Sequence, residues 1–237
     1  MPSKWRASSQ SPPNSPRPSS AISLAWKQQF PLQLGWISVF DDIAQLIMLD
    51  QAFGVKQQAL ASTSGSWMEP ILHQLLALRP LRKSSQRENL MEEVCRLGTL
   101  LFLAPLWRTL GQSPVWTAAI SRNLLFVLAR NDVEWHELNP LLVWVLYFAA
   151  IETNNHAERS HFAFMLSVRM RDGHLKYWDD MMQIIKGVLW VENTFAGSDK
   201  KIFDEVLRNL NHEPSVDTSV AAAPNLLGES QHHIEGE

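Results

Sequence analysis

His156, Glu158 and His161 are side chains able to bind a metal or transfer a proton, set close together in the sequence. A helical metal pair needs histidines four apart, as in His-Glu-x-x-His, so that both rings share one face. Here they are five apart, which turns the rings away from each other. Asp179 and Asp180 have the chemistry to hold a cation or to act as acid and base. Neighbouring carboxylates on a helix, however, point about 100° apart and ordinarily face water. Cys95 stands beside Arg96, which favours a thiolate, but Val94 and Leu97 point to burial and an inert thiol. No Gly-x-Ser-x-Gly elbow occurs, and none of the ten glycines belongs to a Gly-x-Gly-x-x-Gly or Walker loop. The residue types and spacings therefore predict no catalytic group, no cofactor-binding group and no metal ligand.

Large aromatic side chains are more plentiful. Trp107, Trp116, Trp135, Trp144, Trp178 and Trp190 can line a pocket for an apolar ligand, although helical bundles bury such groups without one. The candidate apolar pocket or core comprises Trp107, Trp144, Tyr147, Phe162 and Trp190.

These side chains need a scaffold, and its centre is the stretch from Asn139 to Glu152. Asn139 is suited to cap a helix and Pro140 to its first position, where no N–H is needed. Pro140 to Ile151 is apolar or amphipathic on every side. A membrane span needs about 20 such residues. This run is shorter and is bounded by Glu137 and Glu152, so it reads as the central helix of a bundle.

Other helices must surround it. Val39, Ile43, Leu46 and Ile47 recur at helical spacing from Trp36 to about Phe53, and Gly54 ends that helix. Trp67 to Leu78 supplies a second, stopped at Arg79-Pro80. A third begins at Glu88 and is expected to kink or end at Pro105. Ser113-Pro114 starts another that runs to about Arg130. Further helices are predicted from His156 to Asp172, from Leu175 to Val191, and after Gly197 through Leu210. No useful length alternates with period two. The predicted fold is all-α, an irregular helical bundle around a central apolar helix with disordered tails.

The tails follow from composition. Residues 1–35 are assigned to a Ser/Pro-rich disordered segment, 36–210 to the helical domain and 211–237 to an acidic disordered segment. Ser11-Pro12 and Ser15-Pro16 fit proline-directed phosphorylation but also plain linker composition. The amino terminus lacks the apolar run of a secretory signal, and the single cysteine rules out an intrachain disulfide, so an intracellular soluble protein is expected. The formal charge of −3 leaves the body nearly neutral. Only Arg79, Arg82, Lys83 and Arg87 approach the basic stripe of a duplex-DNA binder, and these also suit a solvated loop.

Four stretches, taken in order, resemble the helical regulatory region of fungal-specific transcription factors, the part that follows a six-cysteine, two-zinc cluster in full-length members. They are Ile71 to Leu78; Glu93 to Gly98 continuing to Leu103; Leu138-x-Pro140 to Ile151-Glu152; and Glu158-Arg159-x-x-Phe162 followed by Trp178. The resemblance spans about Trp67 to Trp190. It implies an all-helical transcription-regulatory module that acts through protein partners or as a homodimer, with a small-molecule effector as a variant. It also implies a nuclear location, with a cytoplasmic one as the alternative. One cysteine cannot build the zinc cluster, so no direct nucleic-acid contact through it is expected, and the chain reads as a truncated or stand-alone member. Ala149 and Ala150 replace expected glycines and His161 an expected aromatic residue. The alternative class is a helical enzyme or small-molecule-binding protein whose polar site would draw on His156, Glu158, His161 and Asp179.

Overall fold

The computed structural model describes residues 20–53, 67–78, 85–109, 117–131 and 133–211, with the side chains of residues 49–53 left aside. The Ser-Pro pairs, Arg79, Arg82, Lys83, the Ser113-Pro114 start and Trp116 lie outside the described residues.

Among the described residues there are helices and no strands. In order they are α1 (Ala21–Gln29), α2 (Gly35–Phe53), α3 (Met68–Ala77), α4 (Gln86–Thr109) and α5 (Thr117–Arg130). A 3-10 turn (His136–Leu138) leads into α6 (Asn139–Glu152), followed by α7 (His156–Asp172) and α8 (Trp178–Val188). The short α9 (Glu192–Phe195), a second 3-10 turn (Ser198–Lys201) and α10 (Phe203–Asn211) complete the series.

Helix α6 is the rod of this all-α bundle. Every residue from Leu141 to Glu152 is buried, because α4, α5, α7 and α8 pack on its different sides. Among the described residues no helix is long and apolar enough to cross a membrane. Glu152, which marks a polar boundary in the sequence, lies inside the body and accepts a hydrogen bond from the Arg108 guanidinium at 2.5 Å. A buried carboxylate is tolerated when a cation meets it in this way. The start of α6 also differs from expectation. Asn139 is its first residue and Leu138 its cap, because the 3-10 turn carries Leu138 into the core and leaves the cap position to it.

Residues 20–35, assigned by composition to the tail, belong to the body. Ile22, Trp26 and Phe30 recur every four residues on one side of α1 and are buried, and the Ser20 hydroxyl caps the helix by accepting from Ser23 N–H. Trp26 donates its indole N–H to the Gln33 carbonyl at 2.6 Å. Its ring begins an aromatic series through Trp36 and Phe40 to Trp144, which ties α1 to α6.

Helix α4 passes through Pro105 and continues to Thr109. A proline removes one backbone donor and favours a kink, but α4 packs against α5 and α6, and Arg108 in its last turn bonds Glu152 of α6. Helix α8 is shorter than its apolar pattern predicts. Leu189, Trp190 and Val191 are all buried, and α8, unlike the rod, buries only one face, so a helical continuation would turn at least one of these three side chains outward. The backbone turns extended at Leu189, whose carbonyl accepts the Trp144 indole N–H at 2.8 Å.

Two buried titratable groups lead to predictions. Cys95 is fully buried, and loss of hydration pushes its thiol well above the ordinary range, with the charge of Glu92 adding to the effect. Native protein is therefore expected to resist iodoacetamide at neutral pH and to react once unfolded in urea. Rapid labelling of the native state would contradict this.

Glu92 reaches across to the start of α2 and accepts from Trp36 N–H at 3.1 Å. Burial raises its pKa above the usual 4.5; the Trp36 hydrogen bond opposes the shift, Glu93 adds to it, and Arg96 lowers it. Between that value and the raised one the folded protein holds more protons than the unfolded chain, so this contribution to stability falls as pH rises. Glu92→Gln keeps an acceptor for Trp36 but cannot ionise. Its urea midpoint is expected to gain on wild type from pH 4.5 towards neutrality. A pH-independent difference between the two proteins would show that Glu92 contributes no such linkage.

Candidate functional site

Sequence reasoning names two kinds of site, an apolar pocket and a polar cluster, and the fold treats them differently. Of the five aromatic candidates, Trp144, Tyr147 and Phe162 have no solvent exposure. They fill the core around α6. Tyr147 Oη lies 2.8 Å from Ser198 Oγ, and Ser198 donates its own proton to the Phe195 carbonyl, so Tyr147 is the donor to Ser198. Burial raises the Tyr147 phenol far above its ordinary value, which suits a structural donor and no acid–base role near neutrality. Trp107 is half-buried against the core in the last part of α4. Trp190 alone among the five lines a described cavity.

The polar candidates separate. His156 is exposed, with Nε2 at 3.6 Å from Glu205 Oε1. Glu158 instead accepts from Arg122 Nε at 3.1 Å. His161 and Asp179 are exposed, and Asp180 is half-buried. Among the described residues no three His, Cys, Asp or Glu side chains are placed to share a metal ion.

Glu205 was not singled out by sequence, yet it collects more contacts than any of these. It sits in a shallow cavity of about 140 Å³ with His156, Ser160, Arg208 and Asn209. Its Oε1 accepts two bonds from Arg159, at 3.1 and 3.2 Å, while its buried Oε2 has no partner among the described residues. A nucleophile–base–acid series would need Ser160 bonded to His156, and among the described residues these two form no hydrogen bond. The Arg159–Glu205 pair joins α7 to α10 and reads as a structural clasp.

A larger cavity with apolar walls lies between α5 and α7. Leu128 of α5 and Phe164, Met165 and Val168 of α7 form its walls, with Leu142 and Leu146 of α6 as its floor. The cavity measures about 260 Å³, and Phe164 is 55% exposed at its edge. Arg122 of α5 donates to Glu158 of α7 and adds a polar link between these walls. Arg169 belongs to the lining, and Arg130 holds its guanidinium 4.1 Å from the exposed Phe126 ring on α5. Such a surface has no groups for bond cleavage; it can accept apolar side chains from a partner.

Sequence could not locate this groove. Helical spacing puts Phe162, Met165 and Leu166 on the inward face of α7 and leaves Phe164 off it, as the burial bears out, but that α5 stands beside Phe164 and completes a groove depends on tertiary packing.

Comparison of the chain with protein-family models, with curated proteins and with solved structures gives no match.

Proposed function

We propose that this protein is a regulatory, protein-interaction domain of fungal transcription-factor type, acting without a DNA-binding zinc cluster of its own. The observation that carries the interaction half of this reading is the apolar α5–α7 groove, with Phe164 half out of it in a body whose other large aromatic residues are mostly buried. Holding a phenylalanine in water is unfavourable, and a partner that seats an apolar residue beside it recovers that free energy. The transcriptional half is supported by the sequence resemblance. Its stretches fall on α3, α4, α6, α7 and the start of α8; α4, α7 and α8 pack on the rod α6, and α3 packs on α4.

The test uses the whole chain fused to a foreign DNA-binding head in a fungal reporter strain. The expected result is nuclear accumulation and a several-fold change in reporter output relative to the head alone. An unchanged reporter together with a diffuse cytoplasmic distribution of the unfused chain would refute the proposal.

A further inference from the structure

A cavity of about 490 Å³ opens between α2 and the end of α8 and shares no lining residue with the α5–α7 groove. Its volume lies within the usual range of small-molecule sites, roughly 300–1,000 Å³. One wall is the α2 stripe, with Asp41, Ala44, Gln45 and Met48 at successive helical turns and Ile47 beside them. The other is Val188, Leu189 and Trp190, where the chain leaves α8 in extended form. That wall is anchored, since Trp144 of the central rod donates to the Leu189 carbonyl. Gly187 adds room: a Cβ placed on it would meet nothing within 4 Å.

The charges at this cavity are already answered within the chain. Asp41 Oδ2 accepts from Ser23 Oγ at 2.7 Å and from Lys27 Nζ at 3.0 Å. Glu192 Oε2 accepts from Trp190 Nε1 at 2.7 Å and lies 3.5 Å from Lys186 Nζ. The same ammonium is 5.2 Å from the Trp190 ring centroid. A neutral ligand leaves both pairs intact, whereas a charged one meets each opposite charge of this lining already paired. The apolar part of the lining, Ala44, Ile47, Met48, Val188 and Leu189 with the Trp190 indole, favours ring-containing bodies.

We infer that the α2–α8 cavity is a binding site for a neutral, largely apolar, ring-containing small molecule. This inference does not depend on the transcriptional reading, and its test does not use a reporter.

The test is a fluorescence titration of the full chain with the neutral dye N-phenyl-1-naphthylamine. Saturable binding of one dye per chain is expected. The anionic analogue 8-anilinonaphthalene-1-sulfonate is expected to bind on the order of tenfold more weakly. Gly187→Phe puts a ring into the empty space and is expected to weaken the neutral dye by about tenfold or more, with helicity and thermal midpoint retained. Met48→Glu changes the opposite wall at a half-exposed position and carries the same expectation should Gly187→Phe fail to fold. Phe164→Asp, in the other groove, should bind like wild type. The inference is overturned if the dye does not saturate, if the folded cavity variants bind it like wild type, if the anion binds as tightly, or if Phe164→Asp removes binding.

Discussion

Trp144→Ala is expected to remove most of the protein's stability. The side chain has no solvent exposure, and its ring lies 5.1–5.8 Å from those of Phe40, Phe102 and Phe148. Truncating a buried tryptophan costs about 3–5 kcal/mol through lost transfer free energy and the cavity left behind. The Leu189 carbonyl also loses its indole donor, adding about 1 kcal/mol or more if no water reaches it. Typical domains are stable by only about 5–15 kcal/mol, so the variant should unfold at much lower urea, followed by far-ultraviolet circular dichroism. Trp144→Phe retains a ring and loses only the indole donor and part of the volume, and should fall between the two. A midpoint for the alanine variant close to wild type would mean that α6 is not the rod of this fold.

The second large effect runs against helix propensity. Alanine is preferred over glycine inside a helix by about 1 kcal/mol, yet Gly98→Ala in α4 is expected to destabilise. A Cβ on Gly98 would lie 2.5 and 2.8 Å from the two methyl carbons of Val145 on α6. A β-branched side chain in a helix has essentially one χ1 rotamer, so Val145 cannot swing aside and the two helices must separate. Overpacking of this kind costs about 1–3 kcal/mol. The clash disappears in a Val145→Ala background, where Gly98→Ala should become neutral or stabilising. A double-mutant cycle in urea measures the coupling. Equal losses from Gly98→Ala in both backgrounds would show that the contact is not what requires glycine.

Gly98 illustrates how far the sequence could be read. Its neighbours from Val94 to Leu103 form an evident Leu-rich helix, but a glycine there looks only like a weak point until the α6 partner is in place. The rod itself was legible because Pro140 to Ile151 is apolar on every side and too short to cross lipid. The surrounding helices followed from apolar spacing, and their type is a local property. Helix α1 carries a readable signal too, Ile22, Trp26 and Phe30 behind Ser20, but Ser/Pro composition upstream masked it. The end of α8 was not readable, since periodicity continues through Leu189 while a tertiary bond from Trp144 draws the backbone out.

The site was less legible than the fold for the same reason. Trp190 was among the named aromatic residues, but neither its cavity nor the α5–α7 groove follows from spacing, since each is made by helices distant in sequence. Glu205 shows this as well. It reads as one acid on an amphipathic helix until Arg159 and His156 of α7 are brought against it.

Phe164→Asp changes a half-exposed side chain and should alter stability by no more than about 1 kcal/mol, so a loss of function cannot be laid to unfolding. Reporter output from the chain fused to a foreign DNA-binding head should be measured for wild type and for Phe164→Asp at matched protein levels. The interaction reading predicts that the variant falls back to the level of the head alone. A variant that regulates the reporter as wild type does would contradict it.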